Sequence, residues 1–141
     1  MNTQQENADA LVEAFEMFDS WEDRYRFLID LGRKLPAYPD EARVEENLVR
    51  GCQSQVWMIA QPKENAVDFV ADSDSTLVKG LIAILRKVYA NQPPREVLNF
   101  DVDAFLERLG LNSNLSMSRR NGLSGMIKKV RSLAEQQVAN A

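Results

Sequence analysis

Residues 67–89, VDFVADSDSTLVKGLIAILRKVY, decide the fold because the spacing of their apolar side chains changes once along the stretch. Val67, Phe69 and Ala71 alternate with their neighbours, which is typical of a strand. From residue 76 the apolar positions repeat at helical spacing in two rows, 77/81/85/88 and 78/82/89. The stretch therefore predicts a strand followed by a helix that lies deep against a sheet. Gly80, in the middle of this helix, is about 1 kcal/mol less favourable than Ala, which predicts that another backbone passes close by.

The residues before this stretch predict two more strands. Residues 56–60 alternate in the same way, and the polar residues 61–65 that follow are typical of a turn. An extended segment at 44–49 comes first. We therefore expect a three-stranded antiparallel meander, in which Cys52 lies in the connection between the first and second strands. Gly51 would let the backbone bend sharply there.

Helical spacing also predicts helices on both sides of the meander. Two helices open the chain, over about residues 11–18 and 20–35, and prolines at 36 and 39 stop the second. A short helix begins after Asp101 and closes at Gly110, and a last helix begins near Ser116 or Ser118. We predict an α+β fold with helices packed on a small three-stranded antiparallel sheet. The length of 141 residues fits one domain over residues 1–141.

The composition excludes several classes of site. The chain contains no His, which removes Cys-His and Ser-His catalytic pairs and the usual zinc sites. The one cysteine, Cys52, cannot form a disulfide within a monomer or supply a four-thiolate iron–sulfur or zinc site. We therefore expect no metal and no cofactor, and any sulfur chemistry must use the sulfur of Cys52.

Charge is divided unevenly along the chain. Residues 1–75 carry 7 basic and 16 acidic side chains, whereas residues 76–141 carry 10 and 5. One interpretation is that the two halves pack together and offset each other's field; the other is a two-signed surface that orients a partner protein. Nucleic acid is not an expected partner, because no aromatic side chains are interleaved with the basic C-terminal residues and the isoelectric point is about 4.9.

The apolar runs are too short for a membrane span. The longest, residues 56–60 and 81–85, fall far below the roughly 20 residues that cross a bilayer. The first residues also lack the basic start and apolar stretch of a secretory signal. We therefore expect a cytoplasmic protein with no membrane partner.

Cys52 is the first candidate for chemistry, and two interpretations of it stay open. Free cysteines are among the most buried residues and usually act as small hydrophobes. The neighbours Gly51, Gln53 and Ser54 are flexible or polar, however, which indicates a turn, where functional groups concentrate. Without a second cysteine or a His, the chemistry that remains is exchange: a thiolate attacks a sulfur held by another protein, takes it and keeps it as a persulfide.

Two other pairs of residues give weaker signals. Asp72 and Asp74 have the form of paired acids or metal ligands, but the helix that follows favours a capping role. Arg119 and Arg120 could together bind an anion or a carboxylate. Such a pair is more often simply a solvent-exposed start of a helix.

Four segments stand out when they are taken together: residues 51–57 (GCQSQVW), 72–74 (DSD), 78–81 (VKGL) and 118–123 (SRRNGL). Together they resemble the SufE family of sulfur acceptors. The resemblance runs from about Phe15 to Ala134, and the segment around Cys52 is specific rather than generic. It implies a SufE-like and IscU-like fold, in which helices cover a small antiparallel sheet.

The resemblance implies a role in cysteine desulfuration without an enzyme activity of its own. The partner is a pyridoxal-phosphate-dependent cysteine desulfurase of the SufS type, which places sulfur from free cysteine on its own thiol. The SufE-like protein accepts this sulfur by transpersulfuration, raises the turnover of the desulfurase and passes the sulfur to Suf scaffold proteins for iron–sulfur cluster assembly. By position, Cys52 bears the persulfide, and Gly51, Gln53 and Ser54 form its supporting loop. Family members are typically dimers, so a homodimer is also implied.

The family further suggests that the cysteine loop rests with its thiol toward an apolar pocket and turns outward at the partner, which would keep a persulfide from water. Our hypothesis is that Asp74 and Arg119, which match polar positions near that loop, hold the resting state and adjust docking. Two alternatives belong to other classes. One is a structural interaction domain with an inert Cys52, and the other is a stand-alone thiol enzyme, which the missing His disfavours.

Overall fold

The computed structural model of the chain describes residues 3–50, 54–61 and 63–140. In this part of the chain the α-helices are α1 (Gln4–Glu16), α2 (Trp21–Arg33), α3 (Thr76–Tyr89), α4 (Pro94–Asn99), α5 (Val102–Leu109), α6 (Leu111–Asn114) and α7 (Met117–Ala139). The strands are β1 (Val56–Ala60) and β2 (Phe69–Ser73), and short 3-10 turns lie at Asp40–Ala42 and Glu45–Asn47. The fold is α+β, which confirms the predicted class.

The two strands form one antiparallel hairpin. Its register pairs Val56 with Ser73 at the open end and Ala60 with Phe69 near the turn. Asn65 in that turn has a φ of 58°, a left-handed conformation that Asn adopts more easily than most residues. The residues of β2 are buried on both faces apart from the half-buried Asp72. β2 is therefore packed on both faces, whereas β1 alternates between buried residues and half-buried or exposed ones.

The prediction of a third strand at residues 44–49 is wrong for the part of the chain that the structure describes. Only a single antiparallel bridge, Leu48 to Trp57, pairs this segment with β1. The middle of the segment is the 3-10 helix Glu45–Asn47, whose side chains are exposed or half-buried. Two adjacent glutamates give no alternation of buried and exposed positions, so nothing holds an extended strand there.

α3 forms the centre of the core, as predicted. Nine of its residues are buried: Val78, Gly80, Leu81, Ile82, Ala83, Ile84, Leu85, Val88 and Tyr89. It crosses α2 at two glycines. A Cβ on Gly80 would overlap the carbonyl group of Leu28, and one on Gly32 would lie 2.7 Å from the backbone N of Gly80. The close backbone approach predicted at Gly80 is thus confirmed, with α2 as the neighbour.

The residue that caps α3 differs from the prediction. Ser75 is the N-cap, and its hydroxyl oxygen accepts a hydrogen bond from the N–H of Val78 at 3.3 Å. Asp72 and Asp74 do not cap this helix, because Asp72 lies within β2 and the carboxylate of Asp74 faces another part of the chain. Their carboxylates are therefore available for contacts elsewhere.

The later helices begin as their sequence predicts. Asp101 accepts a hydrogen bond from the N–H of Ala104 at the start of α5, and Gly110, with a φ of 75°, ends that helix. Ser116 caps α7 by accepting from the N–H of Arg119. None of the helices in the described ranges combines the length and hydropathy that a bilayer crossing requires.

Candidate functional site

Three of the predicted site residues, Gly51, Cys52 and Gln53, lie outside the described residues. We call residues 51–53 the cysteine segment. The residues on either side of it are described, and so are the other predicted site residues, Ser54, Asp74 and Arg119. The geometry of the site is therefore built from the two flanks of the cysteine segment and from what those flanks contact.

The flank before the cysteine segment is attached to β1 and rests on α7. The backbone N–H of Val49 donates to the carbonyl of Val56 at 2.8 Å, and Val49 is buried. The carbonyl of Arg50 passes so close to Gly125 that a Cβ there would lie 2.7 Å from the carbonyl oxygen. Two elements of the fold thus fix the chain immediately before the cysteine segment.

The flank after the cysteine segment is attached to Asp74. The N–H of Gln55 donates to the Oδ1 atom of Asp74 at 3.1 Å, and the N–H of Asp74 donates to the carbonyl of Gln55 at 3.3 Å. This reciprocal pair extends the open end of the β1–β2 hairpin by one step. Asp74 itself is exposed. The polar residue singled out from the sequence therefore lies in direct contact with the flank.

A small pocket lies beside Ser54, between α3 and the first turns of α7. It is lined by Ser54, Val78, Leu81, Ser118, Arg119, Gly122, Leu123 and Met126, and its volume is about 20 Å³, enough for one water molecule or a group of similar size. The apolar lining residues are buried. The pocket is thus an apolar recess with a polar edge, and two of the predicted site residues, Ser54 and Arg119, lie together on it.

Arg119 lies in the first turn of α7 with an exposed side chain. Its backbone N–H donates to the hydroxyl oxygen of Ser116 in the N-cap, and a helix N-terminus carries a partial positive charge. No carboxylate among the described residues forms an ion pair with Arg119. Arg119 is therefore a cation at the pocket edge that no described carboxylate neutralises.

Sequence reasoning missed a second anchor of the site, the contact between Arg43 and Asp72. The guanidinium donates to the Oδ2 atom of Asp72 from Nη2 at 2.6 Å and from Nε at 3.2 Å, and Lys79 lies 3.5 Å from Oδ1. The Asp72 side chain is only 15% exposed. The contact attaches the chain around Arg43, which precedes the cysteine segment, to Asp72 of β2. Asp72 is two residues before Asp74. The two nearby aspartates indicated a polar contact at this place. The sequence does not show that the partner of Asp72 is Arg43, because the two residues are 29 positions apart.

Two opposing effects set the pKa of Asp72. Burial by itself would raise the pKa, because it disfavours the charged carboxylate. The hydrogen bonds from Arg43 and from the backbone of Ser73, together with the charge of Lys79, act in the other direction and outweigh burial. The pKa of Asp72 therefore lies below its ordinary value, and this carboxylate is charged at neutral pH.

A family model described as "SufE: Fe-S metabolism associated domain" matches residues 9–134 of the chain. The chain belongs to the SufE family. Two relatives, each described as an uncharacterized SufE-like protein, support this. The one from Rhizobium etli is 39% identical over 135 residues, covering 93% of this chain and 91% of the relative. The one from Rhizobium meliloti is 38% identical over 131 residues, covering 90% and 94%.

A solved structure shows the same fold at lower sequence identity. The solution structure of a hypothetical protein from Thermus thermophilus superimposes with a TM-score of 0.77 and is 20% identical, covering 94% of this chain and 96% of that one. The resemblance to the SufE family is therefore confirmed in sequence, and the fold in structure. Membership of the SufE family associates the chain with iron–sulfur metabolism.

Proposed function

We propose that this SufE-family protein is a sulfur acceptor for a SufS-type cysteine desulfurase, and that Cys52 carries the sulfur as a persulfide. The observation that supports the proposal most is that the two flanks of the one cysteine both rest on the N-terminal half of α7. Arg50 lies against Gly125, and Ser54 shares a pocket with Arg119. A sulfur carrier needs a protected recess near its cysteine, and Ser54, two residues after Cys52, lines a recess of this kind.

The transfer step conserves atoms and electrons. The thiolate of Cys52 attacks the outer sulfur of a persulfide on the desulfurase, and a new S–S bond forms. The bond between that outer sulfur and the desulfurase cysteine breaks, and the desulfurase leaves as a thiolate. Because one S–S bond replaces another, the step needs no oxidant or reductant. The pyridoxal phosphate that first releases the sulfur belongs to the desulfurase.

The pocket beside Ser54 supports the storage of a persulfide between receipt and delivery. Its volume of about 20 Å³ matches one small group, and its apolar lining would keep water and small thiols from the outer sulfur. The positive charge of Arg119 and of the α7 start would attract an anionic persulfide at the edge of the pocket. We propose that Gly51, Gln53 and Ser54 support Cys52 in this role.

Asp74 and Arg119 have different roles in this proposal. Asp74 holds the flank after the cysteine segment through its contact with Gln55. Arg119 is exposed at the pocket edge and would contact the desulfurase when the two proteins dock. Asp74 acts through the backbone of Gln55, and we therefore assign it as a positioning residue.

The proposal also includes the later steps implied by the family. The protein would raise the turnover of the desulfurase by clearing its thiol, then deliver sulfur to Suf scaffold proteins for iron–sulfur cluster assembly in the cytoplasm. It would have no catalytic activity on a small molecule by itself, and it would form a homodimer.

Intact-mass spectrometry after incubation with a SufS-type desulfurase and free cysteine tests the proposal. We expect a mass gain of one or more sulfur atoms that a reductant removes, and no gain when the desulfurase or the free cysteine is omitted. Cys52→Ser should abolish both the adduct and the stimulation of the desulfurase. An unmodified Cys52 beside an active desulfurase would instead support a structural interaction domain, and turnover of a small substrate without any partner would indicate a thiol enzyme.

A further inference from the structure

Gly125 lies in the interior of α7, where glycine is the least favourable residue for a helix apart from proline. Its position is explained by what passes beside it. A Cβ on Gly125 would lie 2.7 Å from the carbonyl oxygen of Arg50 and 3.2 Å from the Cγ1 atom of Val49. The first distance is too short for any real side chain, and the obstacle is backbone, which cannot rotate away.

The same helix also meets the other flank. Ser118 and Arg119 of α7, about two turns before Gly125, line the pocket that Ser54 shares. Arg50 and Ser54, which border the cysteine segment on its two sides, therefore both lie along one helix. Because Gly125 has no side chain, the backbone of Arg50 can lie close to α7. The hydrogen bond from Val49 to Val56 holds the same flank on β1.

We propose that Gly125 is a positioning residue for Cys52, which fixes the point from which the cysteine segment begins. The inference deepens the proposed sulfur transfer, because a displaced flank would change how far the thiol reaches the partner. Any side chain at position 125 must push the carbonyl of Arg50 away from α7 by several tenths of an ångström. The hydrogen bond from Val49 to Val56 would then be strained, and the flank would be held less firmly.

The test is the alkylation rate of Cys52 in Gly125→Ala without any partner, followed by intact mass. Cys52 is the single cysteine of the chain, so the mass gained with a thiol-specific reagent reports alkylation at this residue alone. We expect a change in rate of about fivefold or more, the ratio that corresponds to the loss of one ordinary contact. In the desulfurase assay the same variant should raise the concentration needed for half-maximal stimulation, while far-UV circular dichroism stays unchanged.

Two variants separate positioning from general destabilisation. Gly32→Ala also places a Cβ 2.7 Å from backbone, but at the crossing of α2 with α3. Ser124→Ala changes an exposed neighbour on α7 and improves its helix propensity without touching Arg50. Both should leave the alkylation rate of Cys52 at the wild-type value when measured well below their melting temperatures.

The proposal is overturned if folded Gly125→Ala is alkylated at the wild-type rate, or if Gly32→Ala changes the rate equally. Should Gly125→Ala fail to fold, Val49→Ala shortens the side chain that lies beside position 125 on the same flank without adding an atom, and it must then change the rate. Alkylation without a partner does not depend on sulfur transfer. A failure of the proposed function would therefore appear as an absent persulfide with the Gly125 effect intact.

Discussion

Asp74 and Gln55 exchange two hydrogen bonds, one from the backbone N–H of Gln55 to the Asp74 carboxylate and one from the N–H of Asp74 to the carbonyl of Gln55. The two residues lie at the open end of the hairpin, where β1 begins and β2 ends. Mutation can remove only the hydrogen bond to the Asp74 carboxylate, because the other bond joins two backbone groups. This contact links the flank after the cysteine segment to the residues just before α3.

Asp74→Ala should loosen the flank after the cysteine segment without unfolding the protein. It removes one hydrogen bond at an exposed position, worth about 1 kcal/mol, so the alkylation rate of Cys52 should change about fivefold. Asp74→Asn keeps an oxygen that can accept from Gln55 and should stay near the wild-type rate. If Ala and Asn behave alike, the hydrogen bond does not hold the flank.

Arg119→Ala should weaken the stimulation of the desulfurase without destabilising the protein. The side chain is exposed and sits at a helix N-terminus, where removing a cation stabilises the helix by about 0.3–1 kcal/mol. Arg120→Ala is the matched control, since Arg120 is also exposed but does not line the pocket. Titration of the desulfurase rate with each variant would contradict the assignment if the two curves coincide.

Asp72→Asn should lower the free energy of unfolding at neutral pH by about 2 kcal/mol, the size of a charge-assisted hydrogen bond to a half-buried guanidinium. Its pKa in the folded protein lies below the unfolded value of about 3.9. The stabilisation is therefore complete above that unfolded value and is lost as the pH falls through the folded pKa.

Urea unfolding of wild type and Asp72→Asn at several pH values measures this difference. The two proteins should differ most near pH 7 and converge as the pH falls below about 4. Arg43→Met removes the other partner and should show the same convergence. A constant gap down to about pH 3 would mean that the charge of Asp72 contributes nothing.

Tyr89→Phe should leave the protein as stable as wild type at pH 7, or raise its stability by about 1 kcal/mol. Tyr89 is fully buried, and among the described residues no group bonds to its hydroxyl. Tyr25→Phe is the control: its hydroxyl donates to the carbonyl of Asn114, so this variant should lose about 1 kcal/mol. Thermal or urea unfolding would refute the argument if Tyr89→Phe is the more damaging change.

The same residue gives a signature at high pH. Burial raises the pKa of Tyr89 to about 12 in the folded protein, whereas a tyrosine in the unfolded chain ionises near 10. The unfolded state therefore releases this proton first, and wild type should lose stability as the pH rises from about 10 to 12. Tyr89→Phe should lack this part of the loss.

The parts of the fold that follow from local patterns could be predicted from the sequence. The strand and helix of residues 67–89 show their periods directly, and the glycine in α3 indicates a close backbone because glycine in a helix needs such a reason. The prediction of a third strand was wrong. In sequence, a short extended segment next to a hairpin looks much like a 3-10 turn that pairs with the hairpin through one bridge.

The site was predictable only in part. Motif resemblance identified Ser54, Asp74 and Arg119, and the structure brings Ser54 and Arg119 to one pocket and Asp74 to the adjacent flank. The roles of Asp72 and Asp74 as helix caps were wrong because Ser75, one residue later, was equally able to cap α3. The contacts of Arg43 and Gly125 join residues far apart in the chain, and a single sequence does not show such pairs.

The crossing of Gly32 with Gly80 has a consequence for how the molecule opens. Since the contact is backbone against backbone, neither helix can shift along the other while both remain folded. α2 and α3 should therefore exchange their amide hydrogens as one cooperative unit, at the slowest rate in the protein. Local opening elsewhere in the described part of the chain would then leave this pair of helices in place.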